Sequence, residues 1–448
     1  MKRTGARNVA LDILHDVIDR DAFLNISIKK RLQHINLSER DKRLVTELTY
    51  GTLEYKMHLD WVIKQFTKGS RIHPIIRNIL RLGIYQILFL DRIPDPVACN
   101  ESVLLTKQAG KAKLSGFVNG VLRSIVRNKN RIKYPDKNED PVTFLSIYYS
   151  YPYWLVQKWV NDYGLSFTED LLSFKFTNHF ITVRPNTMRI SLSEWERLLD
   201  DLRIPFETGV WVPTAYYLQG IGDIGTNEYF RKGLFSVQGE SSMLAVQMLS
   251  PQPEQCILDA CSAPGGKATY IAELMGDKGK VIAWDIHPHR VKLIEENKKR
   301  LGLQSIIPEE QNAEVIRKDL VGKMDGVLVD APCSGLGVIH KKPDIKYRKT
   351  PDEISELSKL QFGILQTCSQ YVKPGGILVY STCTIAKEEN EEVVDSFLKE
   401  NRDFYLNPLQ NRQFPPGSDP ARAVKGYIQL FPHLDNMDGF FIAVLKRK

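Results

Sequence analysis

Apolar residues recur at helical spacing through the first third of the chain. Ala6, Val9, Ala10, Ile13, Leu14 and Val17 fall on one face of a helix over 6–18. Similar patterns predict helices over 40–53, 57–66, 74–90, 96–109 and 114–127. Gly51, Gly69, Pro74, Pro94, Pro96 and Gly110 punctuate them. Several short amphipathic helices in succession imply an all-α bundle over residues 1–135. A polar, Pro-containing stretch over 133–142 then reads as a linker. Residues 140–234 are expected to form a small α/β module. It is aromatic-rich, with a strand over 180–184 and a helix over 193–202.

From residue 235 to 448 the period alternates. Short apolar runs predict strands over 256–260, 280–285, 326–330, 376–381 and 439–445. Helical patterns fall between them over 266–275, 289–301, 352–372 and 387–401. Repeated strand–helix units imply a doubly wound, Rossmann-like domain with a mostly parallel sheet and helices on both faces. The chain is therefore expected to be multidomain.

Charge changes this picture at one end. Residues 1–140 hold 26 Lys and Arg against 15 Asp and Glu, whereas the whole chain of 448 residues carries a net +8. The basic excess thus lies entirely in the helical third, and it suggests a polyanionic partner. Between Lys107 and Lys133 stand Lys111, Lys113, Arg123, Arg127, Lys129 and Arg131 with no acidic residue among them. Interleaved apolar residues would anchor that helix while the cations project towards phosphates. A solvated helix face is the competing reading.

Other features narrow the class. No apolar run reaches the roughly 18 residues of a membrane span. The N-terminus, Met1-Lys-Arg-Thr, is basic with no apolar signal core after it, so a cytoplasmic location is expected. The six cysteines are too sparse for a disulfide framework, and no CxxC pair suggests a metal. Cys99, Cys256 and Cys368 are expected to be structural. We expect no membrane, no metal and a monomer.

The candidate chemistry lies at strand ends, where such sheets bind ligands. The first strand runs into Asp259-Ala-Cys261-Ser262-Ala263-Pro264-Gly265-Gly266-Lys267. Adjacent glycines let the backbone approach a ligand. Asp285 ends the next strand, where an acid can accept from both ribose hydroxyls. The G-x-G-x-x-G pattern of dinucleotide sites is absent. An acidic loop with two glycines suits a nucleoside whose tail is an amino acid carrying a sulfonium, with Asp259 facing the cation. Asp330-Ala-Pro-Cys333 and Ser381-Thr-Cys383 close two further strands, expected to be neighbours. Two thiols flanking one crevice suit a reaction that needs a nucleophilic thiol. Cytosine C5 is such a case, since thiolate addition at C6 makes C5 nucleophilic. The two motifs are alike enough that their roles could be exchanged. The segment 337–349 after Cys333 holds His340 and five Lys or Arg residues. It is expected to hold phosphates at the catalytic mouth, with His340 a phosphate or base contact. The acidic run Glu388-Glu-Asn-Glu-Glu392 is expected to place favourable charge on the next helix N-terminus.

Taken as a set, these motifs resemble the RNA 5-methylcytosine methyltransferases. The basic helical region, including Gly116-Phe-Val-Asn-Gly-Val-Leu-Arg123, is similar to their NusB-like RNA-binding domain. The bacterial RsmB (Sun/Fmu) type, which acts on small-subunit (16S) ribosomal RNA, matches nearly the whole chain. The resemblance implies a class I methyltransferase domain that uses S-adenosyl-L-methionine. Cys383 takes the part of the nucleophile and Cys333 that of the thiol needed to release the adduct. Asp330 would lie beside cofactor and base. Asp259, Cys261 to Lys267 and Asp285 would hold the cofactor. The family usually has Asp near the adenine, and here Asn312 is the nearest match. Two alternatives stay open at this stage. One is methylation of another RNA such as tRNA, the other a non-catalytic RNA-binding assembly factor.

Overall fold

In the computed structural model, residues 5–33, 35–176, 180–409 and 426–448 are described. The chain forms two compact units. One comprises residues 5–173 together with 339–349, the other residues 174–338 and 350–448 within the described range.

The first unit is all helical: α1 (Ala6–Asp19), α2 (Leu24–Gln33), α3 (Glu39–Glu54), α4 (Lys56–Phe66), α5 (Pro74–Phe89), α6 (Asp95–Gln108), α7 (Ser115–Arg127), α8 (Pro141–Tyr148), α9 (Tyr153–Tyr163) and α10 (Leu165–Ser173). Six of these match the expected periodic segments. Helix α5 is apolar nearly all round, and Ile76, Ile79, Leu80, Leu82, Ile84 and Ile87 are all buried. Such a helix belongs at the centre of a bundle, and α5 packs against α1, α3, α4, α6 and α7. Gly51 does not end a helix as its type suggested. It sits inside α3 because a Cβ there would collide with the Tyr85 ring of α5.

The expected module of 140–234 is divided. Its helices α8–α10 group with the first unit, whereas its strands group with the second. Leu145 of α8 and Leu155, Val156 and Trp159 of α9 are buried. The strands are β1 (Ile181–Pro185), β2 (Phe206–Thr208), β3 (Tyr216–Leu218) and β4 (Phe235–Val237). They form an antiparallel sheet in the order β2-β3-β1-β4. Helix Leu192–Asp201, started by a Ser191–Glu194 capping box, covers it with Trp195 and Leu199.

The large sheet holds β5 (Cys256–Asp259), β6 (Lys280–Asp285), β7 (Ile306–Glu310), β8 (Met324–Asp330), β9 (Val372–Thr382), β10 (Phe404–Leu406), β11 (Tyr427–Leu430) and β12 (Phe440–Arg447). Its order is β10-β12-β9-β8-β5-β6-β7, with β11 beside β12. Strands β5 to β9 pair in parallel, and β12 runs antiparallel to β9. Successive residues of β6 alternate between two cores. Val281 and Ala283 meet helices Glu240–Leu249, Gly266–Leu274 and Pro288–Leu301. Ile282 and Trp284 meet helices Pro351–Ser369 and Glu391–Glu400. That alternation is what covers a sheet on both faces. The helix expected over 352–372 stops at Ser369, because Val372 already pairs with Met324 as the start of β9.

Candidate active site

Strands β5, β6, β8 and β9 run parallel, so their carboxyl ends share one rim. Asp259 closes β5, Asp285 closes β6 and Asp330 closes β8. Cys383 follows directly on β9. Asp330 and Ser381 are register partners, so the loops carrying Cys333 and Cys383 leave the sheet side by side, as expected from the sequence.

The turn from Cys261 to Gly265 joins β5 to the helix that begins at Gly266 and Lys267. Gly265 has φ +98°, a conformation that suits glycine, and a Cβ there would press to 3.2 Å from Ile294. The Ala263–Pro264 peptide is cis. The turn is held from outside. Arg290 Nη2 donates to the Ala263 carbonyl at 3.0 Å, Asn297 Nδ2 to the Pro264 carbonyl at 3.0 Å, and the Ser262 N–H to the Trp284 carbonyl at 2.7 Å.

Asp259 is fully buried; the Ser262 hydroxyl and the Ala268 N–H face its carboxylate, but neither closes a well-formed hydrogen bond to it. Burial pushes its carboxyl up to about 7, against the pull of Lys267. Buried acceptors are normally satisfied, so a carboxylate this sparsely partnered at a strand end fits the ammonium of a ligand. Asp285, also buried, accepts from the His287 N–H at 3.1 Å, and Arg290 Nη1 lies 3.3 Å from its other oxygen. Asn312 stands two residues beyond β7 and accepts from the Glu314 N–H at 2.9 Å. Burial pushes the Cys261 thiol well above its ordinary range.

The sulfurs of Cys333 and Cys383 are 3.3 Å apart and both cysteines are free. A disulfide would need about 2.05 Å. The hydrogen bond to Cys383, then burial, then the Cys383, Glu389 and Asp330 charges push the Cys333 thiol well above its ordinary range. At 3.3 Å the two thiols share one hydrogen bond, which either sulfur can donate. Lys267 Nζ donates to Asp330 Oδ2 at 2.5 Å, and Ser381 Oγ donates to Asp330 Oδ1 at 2.9 Å. Burial pulls the Lys267 ammonium down, but Asp330, Asp259 and Cys383 outweigh it, and the net shift is upward.

One expectation needs correction. The segment Ile339–Lys349 belongs to the helical unit, and two of its cations serve that unit. Lys346 is fully buried, with Nζ donating to the Glu54 carbonyl at the end of α3 at 2.8 Å and lying 4.0 Å from the Tyr151 ring centroid. Arg348 donates to the Ala22 carbonyl at 2.5 Å and pairs with Asp21 at 2.8 Å. A helix C-terminus and an aromatic face offer a desolvated cation more than water-exposed phosphates would. Lys341, Lys342 and His340 stay exposed.

Two groups of residues escaped the sequence reading. In the acidic run, Glu389 and Asn390 are fully buried in a short turn ahead of helix Glu391–Glu400. Only Glu391 and Glu392 lie in that helix's first turn as expected. Arg184 of β1 is also buried. It forms a two-pronged pair with Glu273 at 3.0 and 2.9 Å, and donates to the Gly266 carbonyl at 3.2 Å. It thereby ties the small sheet to the helix behind the glycine turn. No local pattern marks these residues, since their partners are distant in sequence.

Among the described residues, no cluster of three or more His, Cys, Asp or Glu could hold a metal ion, and no helix is long and apolar enough to cross a membrane.

Comparison with known proteins agrees with this architecture. Residues 246–446 match the family described as 16S rRNA methyltransferase RsmB/F, residues 4–127 match the NusB family, and residues 151–225 match the ferredoxin-like domain of RsmF/B-like methyltransferases. The chain is 40% identical to a probable ribosomal RNA small subunit methyltransferase B of Bacillus subtilis, with 100% of each covered. It is 37% identical to the corresponding Synechocystis protein over 99% of each. The solved structure of PH0851 superposes with a TM-score of 0.78 at 28% identity, covering 99% of this chain and 98% of that one.

Proposed function

Since the chain belongs to the 16S rRNA methyltransferase RsmB/F family, we propose that it methylates carbon 5 of a cytosine in small-subunit ribosomal RNA, with Cys383 as covalent nucleophile. The observation that carries this reading is the thiol pair. The Cys333 and Cys383 sulfurs lie 3.3 Å apart, in hydrogen-bond contact, at the ends of two neighbouring strands. A hydrogen bond between two thiols favours the anion at whichever sulfur accepts it, and the thiolate is the nucleophilic form. The charge of Lys267 interacts with Cys383. The likeness of Ser381-Thr-Cys383 to the family's nucleophile motif supports attack by Cys383 and assistance by Cys333.

The Cys383 thiolate adds to C6, and the electron pair of the C5–C6 double bond becomes available at C5. S-adenosylmethionine, when bound, supplies the methyl group that C5 takes up. Loss of the C5 proton to water then restores the double bond and expels Cys383 as a thiolate, which the Cys333 S–H receives. Asp259 would hold the cofactor's ammonium, Asp285 its ribose hydroxyls, the Cys261–Lys267 turn its amino-acid tail and Asn312 its adenine. The buried, sparsely partnered Asp259 carboxylate supports that fit. Asp330, held by Lys267 and Ser381, would meet the cytosine. The basic α7 region, within the segment that matches the NusB family, supports an RNA partner, and a ribosomal substrate supports a cytoplasmic site of action. Bisulfite sequencing of 16S RNA from cells lacking the protein tests the reading. One cytosine should lose its methyl group, and an unchanged map would refute it.

A further inference from the structure

The two cysteine loops are held by two consecutive side chains outside them. Glu389 Oε1 accepts from the Ser334 N–H at 2.8 Å and from Gln361 Nε2 at 2.9 Å, and its other oxygen accepts from the Ser334 hydroxyl. All these bonds fall on the residue next to Cys333 or on the helix behind it. Asn390 serves the other loop. Its Oδ1 accepts from Thr382 Oγ1 at 2.6 Å, and its Nδ2 donates to the Thr384 carbonyl at 3.1 Å, so it brackets Cys383 on both sides. Gln429 Oε1 of β11 accepts from the same amide at 2.7 Å. The Tyr380 hydroxyl fixes the turn between the two by donating to the Glu389 carbonyl at 2.6 Å. The loops also touch directly through Ser334 and Thr384, whose hydroxyl oxygens are 2.8 Å apart, one residue along from the thiol pair.

We infer that Glu389 and Asn390 are a divided pair of positioning residues. Glu389 places Cys333 and so governs release of the covalent adduct, whereas Asn390 places Cys383 and so governs its formation. The inference rests on the covalent reading above. The division follows from how each loop is otherwise held. Cys383 stays close to β9, and the Gly337 N–H donates to its carbonyl at 3.0 Å. Cys333 lies three residues beyond the end of β8, where Ser334 bonds Glu389 directly and Gln361, itself bonded to Glu389, donates to the Pro332 carbonyl at 2.9 Å, so Glu389 governs both sides of Cys333. In release, the C6–sulfur bond breaks as the C5 proton passes to water, and the departing Cys383 sulfur takes the hydrogen bond of the Cys333 S–H. A misplaced Cys333 leaves that sulfur without its donor and the adduct persists.

The test compares Glu389→Ala, Glu389→Gln and Asn390→Ala with the parent and with Cys333→Ser. Each protein is reacted with in vitro transcribed 16S RNA and S-adenosylmethionine, then read for methyl incorporation and for the retarded RNA–protein band on a denaturing gel. Glu389→Ala should raise the adduct fraction roughly tenfold or more, since it removes the bonds to a charged acceptor, and so mimic Cys333→Ser. Asn390→Ala should lower adduct and methylation together, with no accumulation. Glu389→Gln, which keeps an acceptor oxygen, should fall between parent and alanine variant. It carries the test alone if the alanine variant fails to melt cooperatively. A merely structural role would lower methylation equally in Glu389→Ala and Asn390→Ala without any trapped band, and that result overturns the inference. If Cys333→Ser traps RNA while Glu389→Ala and Glu389→Gln release it at the parental rate, the inference falls and the covalent reading stands. If neither parent nor Cys333→Ser ever gives a band, the covalent reading falls and takes the inference with it.

Discussion

Lys267 and Asp330 join the two halves of the site. The ammonium at the start of the helix after the glycine turn donates to the carboxylate at the end of β8 across 2.5 Å. One end of this pair belongs to the expected cofactor loop and the other to the Pro-Cys motif. Both side chains are largely withdrawn from water, so their mutual attraction is only partly screened. Lys267→Met should leave Asp330 with Ser381 as its remaining partner and slow methyl transfer roughly ten- to a hundredfold. Single-turnover methylation of 16S RNA measures this. A rate within twofold of the parent would show that the pair only braces the loop.

The thiol pair predicts opposite outcomes for two isosteric changes. Cys383→Ser should abolish methylation and the covalent band, because a hydroxyl has too little anion at neutral pH to add to C6. Cys333→Ser should still attack and methylate, but release slowly and accumulate the band. The reverse assignment of bands would make Cys333 the nucleophile.

The proposed contact of Asp259 with the cofactor's ammonium predicts a cofactor affinity that depends on pH. Its carboxyl is raised to about 7 by burial, and only the ionised form attracts an ammonium. Affinity for S-adenosylmethionine should therefore weaken as pH falls below 7, by up to about tenfold per pH unit. Calorimetric titrations at pH 5.5 to 8 check this, and a flat profile removes Asp259 from the site. In the cofactor-free protein the sign for stability is the reverse. The folded carboxyl holds its proton up to about 7 against 3.8 ordinarily. Its contribution is thus fully present below 3.8 and lost as pH rises through 7. Asp259→Asn should melt higher than the parent at pH 8.

The basic run should show itself in salt. Lys113, Arg123 and Arg127 are exposed and Lys111 half-buried, whereas Lys129 is paired with Asp95 at 2.7 Å. Neutralising Lys111, Lys113, Arg123 and Arg127 should flatten the log–log salt dependence of RNA binding by about 0.7 to 0.9 for each phosphate that no longer meets a cation. An unchanged slope would make the run a solvated helix face.

The sequence by itself determined the elements whose signal is local. The 3.6-residue period placed six helices of the first unit to within about two residues. The alternation from 256 onward placed β5, β6, β8, β9 and β12, and with them the strand ends that carry Asp259, Asp285, Asp330, Cys333 and Cys383. Helix α2 went unread, and so did α8 to α10. Their apolar residues are few or mixed with aromatics, and burial rather than period fixes them. Only the tertiary structure decided which polar residues are interior. Glu389, Asn390, Arg184 and Lys346 look like surface charge or polarity in a linear reading, and each is buried. A buried polar group is tolerable only where partners satisfy it. Those partners lie far along the chain: Ser334 for Glu389, Gln429 for Asn390, Glu273 for Arg184 and Glu54 for Lys346. Local periodicity carries no record of such pairings, because they exist only once the strands have taken their order in the sheet and the helices their places in the bundle.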